Sequence, residues 1–379
     1  MIPPGSTLGL LGGGQLGRMF TQAAQRMGYE VVVLDPDPMS PAGRIAAVHL
    51  QADYTDEPAL TELGKRSRAI TTEFENVPSS SLAFLRLLCP VRPSPEAVSL
   101  TQDRIAEKIF ARQHGLLTAP YHAVLSDADL EPAFETIGAP ALLKTSRLGY
   151  DGRGQAAVDS LESLAAAFEQ FERQPAILER KLQLDLEISV VLARSADGRT
   201  VTFPVAENRH VAGILDSTVV PARIPDAVAE RARQAATRLA KAMNYVGTMA
   251  VEFFVVDGDQ LLVNELAPRP HNSGHYTMDA CATDQFEQQV RALVDLPLGD
   301  TTLHSPAAMV NLLGDLWLPG EPRWDRALSD PCVKLHLYGK KEPRAGRKMG
   351  HLTAFGVGPD DALAAALAAR GRLTMITQH

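Results

Sequence analysis

The chain has 379 residues, 45% of them hydrophobic and 22% charged, enough for two or three domains with sizeable cores. Its 37 basic and 45 acidic residues give a formal charge of −8, which argues against a general nucleic-acid scaffold because there is no basic excess to neutralise phosphates. Three cysteines without C-x-x-C spacing, Cys89, Cys281 and Cys332, argue against a disulfide framework or a zinc–cysteine site and for a reducing compartment.

The first 14 residues carry no positive charge before their apolar run and turn glycine-rich at once, which is not the pattern of a signal peptide. No apolar stretch reaches about 18 residues, so no membrane span is expected. A cytoplasmic enzyme is the reading that follows. Over residues 1–100, strand-like and helix-like segments alternate: strand 7–11, helix 15–27, strand 30–34 (EVVVL), strand 69–72 and helix 77–88. Such alternation predicts a parallel sheet covered on both faces by helices. A proline-rich stretch at 92–95 marks a boundary.

The middle third reads as helix 102–114, strand 141–145, a glycine-rich loop 149–155, helix 161–173, strand 176–179, strand 186–193 and helix 225–243. Strands 249–256 and 260–265 follow, parted by Asp257-Gly258-Asp259, a hairpin signal. A helix is expected over 279–294. The last 75 or so residues carry short strands at 307–312 and 333–337 and a helix at 361–370.

Gly12-Gly13-Gly14-Gln15-Leu16-Gly17 matches G-x-G-x-x-G between a strand and a helix, and Asp35 ends the next strand. This is the context of a dinucleotide fingerprint. The glycines could equally make only a tight turn, or let another ligand approach amides at the helix N-terminus. Lys144 ends a strand and is followed by Gly149, Tyr150, Asp151, Gly152, Arg153, Gly154 and Gln155. Such a loop can fold over a polyphosphate while the lysine neutralises charge; an exposed hairpin tip is the plainer alternative. No Walker-type run occurs.

Glu252 and Glu265 flank the 257–259 turn. A two-residue turn at Gly258-Asp259 puts them directly opposite, and one at Asp257-Gly258 makes them diagonal, in either case about 5–8 Å apart on one face. Two like charges among apolar flanks need a compensator, and Mg²⁺ with one or two carboxylates and phosphate oxygens is the natural one. Asn264 adds an oxygen ligand. The loop after Glu265 gathers Arg269, His271, Asn272, Ser273 and His275 between prolines, an anion-binding surface. Late in the chain Lys340, Lys341, Arg344, Arg347 and Lys348 form a basic cluster suited to clamping a phosphate.

These stretches together resemble the ATP-grasp superfamily, and within it the N5-carboxyaminoimidazole ribonucleotide synthases of purine biosynthesis. The likeness rests on residues 11–19 (LGGGQLGRM), 73–77 (EFENV), 149–155 (GYDGRGQ), 207–215 (ENRHVAGIL), 264–275 (NELAPRPHNSGH) and 337–351 (LYGKKEPRAGRKMGH). It implies an α/β and α+β chain: an ATP-grasp fold with a Rossmann-like, doubly wound N-terminal domain (1–100), an ATP-grasp domain (101–300, lid 118–180) and a small C-terminal domain (301–379). The implied reaction joins bicarbonate to 5-aminoimidazole ribonucleotide, using ATP and Mg²⁺, through carboxyphosphate. Arg104 and Lys144 would contact ATP phosphates under the 149–155 lid. Glu179, Arg180, Lys181 and Leu182 would hold adenine, Glu187 the ribose, and His210, Asn264 and Glu265 would complete the nucleotide site. Glu252 and Glu265 would hold the metal. Asp151, Arg153, Arg269, His271, Asn272, Ser273, Lys340 and Arg347 would take the acceptor and carboxyphosphate, with Arg269, Lys144 and Asp151 nearest the chemistry. The family further implies a homodimer, and no nucleic-acid or membrane partner.

Three other readings keep a place. An NAD-dependent oxidoreductase explains the glycine fingerprint but leaves Glu252, Glu265 and the basic cluster without a task. A formate-dependent purine transformylase or a biotin carboxylase shares the ATP half. A non-catalytic nucleotide-binding regulator has no use for both carboxylates and the lysine.

Overall fold

The computed structural model describes residues 1–149 and 154–374. The N-terminal region is a four-stranded parallel sheet in the order β3-β2-β1-β4, from Thr7–Leu11 (β1), Glu30–Leu34 (β2), Val48–Leu50 (β3) and Ile70–Thr72 (β4). Alternate residues of β1 and β2 face opposite layers. Leu8, Leu10, Val31 and Val33 pack under helix α1 (Gln15–Arg26). Leu11, Val32 and Leu34 pack against α2 (Glu57–Arg66) and α3 (Ser79–Arg86). Burial on both faces is why EVVVL reads as an unbroken apolar run. The proline-rich boundary leads into α4 (Pro95–Thr101) and α5 (Arg104–Gln113), capped by Ser94 and Asp103.

The next unit is a four-stranded antiparallel sheet, order β5-β8-β6-β7: Tyr121–Val124 (β5), Ala141–Thr145 (β6), Gln155–Val158 (β7) and Ala176–Arg180 (β8). Helices α6 (Leu130–Ile137) and α7 (Leu161–Gln170) close its core around Leu143, Leu164, Phe168 and Leu178.

The largest sheet is antiparallel: Leu186–Arg194 (β9), Thr200–Thr202 (β10), Ala206–Val211 (β11), Ile214–Val220 (β12), Gly247–Val256 (β13), Gln260–Ala267 (β14), Ala307–Leu313 (β15), Val333–Leu337 (β16) and Lys348–Phe355 (β17). Its order is β14-β13-β9-β11-β12-β15-β17-β16, with β10 on β9. Helix α8 (Asp226–Ala242) covers the β9–β13 end with Ala232, Ala236 and Leu239. Because Ser217 of β12 pairs with Val310 of β15, the sheet continues without a break past residue 300. The helix expected over 279–294 is interrupted. Thr277–Ala280 (α9) stops, and α10 (Gln285–Leu293) restarts where Asp284 accepts the N–H groups of Phe286 and Glu287 at 2.8 Å. This N-cap ends one helix and begins another, and α10 then packs Phe286, Val290 and Leu293 beside α1. Near the C-terminus, α11 (Trp324–Ala327) and α12 (Pro359–Arg372) pack on β15 and β17. Among the described residues no helix is long and apolar enough to cross a membrane.

Candidate active site

The glycine turn after β1 is filled by the chain's own acids. Gly12 adopts a left-handed φ of 92°, and the Gly13 N–H donates to Asp35 at 2.6 Å. Gly14 and Gly17 donate to the two carboxylate oxygens of Glu73 at 2.7 and 2.9 Å. Tyr54 Oη donates to Asp35 at 2.7 Å. The helix N-terminus that would seat a pyrophosphate thus holds a half-buried carboxylate, and the acid that would meet a ribose is engaged as well.

Glu252 lies directly opposite Glu265, by a route other than the one the turn suggested. The loop has three residues, Asp257–Asp259, between paired Val256 and Gln260. Asp257 and Gly258 take φ of 52° and 85°, the left-handed region that glycine and aspartate tolerate. Phe253 pairs with Val263 and Glu252 with Glu265, so Asn264 is an extra residue, a β-bulge. Without it, strict alternation would send Glu265 to the opposite face from Glu252. Asn264 Nδ2 donates to Glu252 at 3.4 Å.

Burial pushes the Glu252 carboxyl up to about 7; Glu265 and Glu187 reinforce the rise, and His210 opposes it. His210 Nδ1 is 2.5 Å from Glu187. Burial alone would lower its pKa, but the Glu187 contact and Glu252 outweigh this and raise it. His271 Nε2 stands 3.3 Å from Glu252. Burial, with Arg269 and Lys348 nearby, holds His271 well below the usual imidazole value. Its Nδ1 accepts the Ser273 N–H at 3.3 Å, which leaves the ring proton on Nε2, toward Glu252.

The cations come from three elements. Lys144, on β6, sits 2.5 Å from Glu179 on β8, and Lys108, on α5, is 3.2 Å from the other oxygen of the same carboxylate. Burial raises the Glu179 pKa, but the two lysines outweigh it and hold it at about 2. Burial lowers the Lys144 pKa more than Glu179 restores it. Arg104 is 3.1 Å from Glu265 and donates to the Gly149 carbonyl at 3.2 Å. Gly149, Gly154 and Gln155 flank the β6–β7 hairpin, with Lys144 paired to Gln155. Tyr150, Asp151, Gly152 and Arg153 lie outside the described residues. Past Glu179, the Lys181 N–H donates to Pro140 O at 3.0 Å as the chain leaves β8 toward Leu182, and Arg180 Nε donates to Ile137 O at 3.0 Å.

On the acceptor side, Arg269 grips Glu75 through Nε and, at 3.0 Å, through Nη2. Asn272 exchanges amide bonds with Asn311 at 2.8 and 3.2 Å. Ser273 is fully buried, its hydroxyl 2.7 Å from that of Ser189 and 2.8 Å from His271 Nδ1. Lys340 Nζ reaches Gln15 at 2.5 Å and the Lys348 carbonyl at 2.8 Å, placing the basic segment over the start of α1. Arg347 instead donates to Glu342 O at 2.9 Å. Thus Arg104, Lys144, Glu179, Glu187, His210, Glu252, Asn264, Glu265, Arg269 and His271 belong to one set of linked contacts and electrostatic interactions, and Lys340 joins Gln15. Sequence reasoning assigned no role to Glu73, Glu75, Glu107 or Lys108. The first two lie within EFENV; Glu107 and Lys108 look like ordinary charges on a polar helix.

A lysine and a glycine-rich hairpin set against paired carboxylates, beside a parallel N-terminal sheet, define an ATP-grasp ligase. Residues 109–286 match the ATP-grasp domain, 6–102 the ribonucleotide synthetase preATP-grasp domain and 307–365 the phosphoribosylaminoimidazole carboxylase C-terminal domain. The N5-carboxyaminoimidazole ribonucleotide synthase of Brucella melitensis is 46% identical over 354 residues, covering 93% of this chain and 97% of that one. The crystal structure of an ADP complex of an N5-carboxyaminoimidazole ribonucleotide synthetase superposes with a TM-score of 0.92 at 41% identity, covering 98% and 97% of the two chains. An Aspergillus clavatus synthase in complex with ADP and 5-aminoimidazole ribonucleotide gives 0.90 at 30% identity, covering 98% and 99%. The chain belongs to the N5-carboxyaminoimidazole ribonucleotide synthase family. It is an ATP-dependent ligase that carboxylates 5-aminoimidazole ribonucleotide in purine biosynthesis.

Proposed function

We propose that the cleft between β6–β8 and the β13–β14 hairpin activates bicarbonate with ATP, and that the segment from Arg269 to Lys348 presents the acceptor amine. The opposition of Glu252 and Glu265 on one face of a bulged hairpin carries this reading. Two carboxylates and the Asn264 amide make a hard-oxygen donor set, and the elevated Glu252 pKa marks a site that favours added positive charge. These residues fit Mg²⁺, which when bound would draw charge from the phosphate oxygens.

Arg104 and Lys144 neutralise the polyphosphate, with Glu179 fixing the lysine in place. The hairpin around 149–155 closes over them and excludes water, to which carboxyphosphate is very labile. The run from Glu179 to Leu182 seats adenine along its backbone, since the Glu179 carboxylate is held by lysines; Glu187, oriented by His210, takes the ribose. In the first step a bicarbonate oxygen bonds to the γ-phosphorus and the bond to ADP breaks. In the second, the acceptor amine bonds to the carboxyl carbon and phosphate departs. Arg269, oriented by Glu75, lies against the charge developing on the transferred group. Asp151 and Arg153 share in binding the acceptor and carboxyphosphate. His271, Asn272 and Ser273 shape the acceptor pocket, and Lys340 and Arg347 hold its phosphate.

The same reading takes the chain as three domains, 1–100, 101–300 with a lid at 118–180, and 301–379. It makes the protein a cytoplasmic homodimer, which sedimentation would test. Phosphate release from ATP and Mg²⁺ tests the chemistry. It should depend on bicarbonate and 5-aminoimidazole ribonucleotide together. Release that instead requires formate, or is indifferent to the ribonucleotide, assigns the site to another ligase.

A further inference from the structure

The bulge that brings Glu265 onto the face of Glu252 is not held by the hairpin alone. Strand β14 ends the sheet; on its outer side Val263 makes an isolated bridge to Thr118, its N–H donating to the Leu117 carbonyl at 2.8 Å. Two adjacent side chains of α5 hold the backbone from there to Leu266. The Lys108 ammonium donates to the carbonyls of Val263 at 3.3 Å and Asn264 at 2.8 Å. The carboxylate of Glu107 accepts the N–H of Leu266. Both side chains belong to residues only 2% exposed, a costly placement for polar groups that do nothing. Helix α5 is itself fixed at its start. Asp103 accepts from Ile105, Ala106 and Ser146, and the Arg104 N–H donates to the Ser146 carbonyl at 2.9 Å. Lys108 has a second arm, 3.2 Å from the Glu179 oxygen opposite the one that holds Lys144. One ammonium therefore ties the bulge to the phosphate-side lysine.

We propose that Glu107 and Lys108 are positioning residues of the nucleotide site: they lock the Asn264 bulge, keeping Glu265 on the face of Glu252, and Lys108 also sets Lys144 through Glu179. The inference rests on Glu252 and Glu265 being the metal carboxylates. Methionine at either position fills the space but removes the polar clamp, whereas glutamine at 107 keeps an acceptor for Leu266.

The test is ADP binding by calorimetry with Mg²⁺ and with EDTA. In the unmodified protein Mg²⁺ should tighten ADP by at least about tenfold, and Glu265→Gln should abolish that gain. Glu107→Met should lose the gain while binding metal-free ADP within about threefold of the unmodified protein; Glu107→Gln should retain the gain, and Lys108→Met should weaken both measurements. A residue with only a structural role would lower thermal stability without separating Met from Gln or metal-dependent from metal-free binding. A folded Glu107→Met protein with the full Mg²⁺ gain overturns the clamp. No Mg²⁺ gain in the unmodified protein, or a gain that survives Glu265→Gln, overturns the metal reading instead. Amide exchange at Leu266 then judges the clamp without any variant. Protection equal to that of Val255 supports it, and exchange at loop rates overturns it.

Discussion

Glu73 and Gly14 define what the N-terminal sheet does: the carboxylate of Glu73 accepts the Gly14 N–H at 2.7 Å at the opening of α1, with the Gly17 N–H at 2.9 Å on its second oxygen. Amides that bind phosphate in a dinucleotide domain are here saturated from within. A Cβ at Gly14 would strike the same carboxylate, so the glycine lets the loop pack closely against an acid.

From this we expect no saturable binding of NAD(H) or NADP(H) at micromolar concentration, read by calorimetry or nicotinamide fluorescence. Glu73→Ala should leave two partly buried amides without an acceptor and cost about 1–3 kcal/mol in urea unfolding. Tight NAD binding that ATP does not displace would revive the oxidoreductase reading.

Glu252→Gln and Glu265→Gln should each cut turnover by at least about 10²-fold, since each removes charge that holds the metal on the transferring phosphate. The folded state should persist. Burial and Glu265 already push the Glu252 carboxyl up to about 7, so neutralising either partner relieves repulsion, and thermal melting without Mg²⁺ should occur at the same temperature or higher. Near-normal phosphate release by either variant would sink the metal assignment.

Strands β1 and β2 were legible because both their faces are buried and they are continuous apolar runs; β3, half-buried with His49 at its centre, was not read. Strands β11 and β12 were not, although they carry ENRHVAGIL. Glu207, Asn208 and His210 put polar groups on a strand whose partners are themselves polar: Arg223 for Glu207, Ser189 and Thr218 for Asn208, Glu187 for His210. A pattern that depends on residues remote in sequence leaves no local period to read. The carboxylate pair was legible for a partly different reason from the true one. A turn one residue longer and a bulge together restore the opposition, and neither spacing nor composition distinguishes that from a tight turn. Lys108 and Glu107 escaped notice because burial, not residue type, gives them their role.

Glu179 supplies a pH-dependent difference. Its folded pKa of about 2 lies below the value near 4.3 expected when unfolded, so the ionised side chain stabilises the fold on the order of 3 kcal/mol above about pH 5. That contribution is lost as the pH falls toward 2. Urea unfolding of the unmodified protein and of Glu179→Gln should therefore differ most at neutral pH and converge through pH 4 and 3. A gap constant across that window would mean that the ion pairs to Lys108 and Lys144 do not set the Glu179 carboxylate.

The basic segment beside the start of α1 makes the remaining claim. A ribonucleotide acceptor carries a 5′-phosphate that must be held while its amine meets carboxyphosphate. In the proposed division Arg104 and Lys144, beside Glu265 and Glu179, serve the nucleotide, so a separate set of cations is required. Lys340 lies against Gln15 at the start of α1, and Arg347 sits seven residues on in the same segment, its guanidinium on the Glu342 carbonyl. A charge-assisted contact to phosphate typically contributes about 1.5–3 kcal/mol, so losing one should weaken the acceptor by roughly ten- to a hundredfold. Lys340→Ala and Arg347→Ala should accordingly raise the KM for 5-aminoimidazole ribonucleotide while leaving that for ATP within about threefold. Both variants should also lose discrimination between the ribonucleotide and its dephosphorylated riboside, a readout that a general loss of stability would not produce. If the ATP term moves and the acceptor term does not, the segment serves the nucleotide, and the division of cations between the two ends of the cleft is wrong.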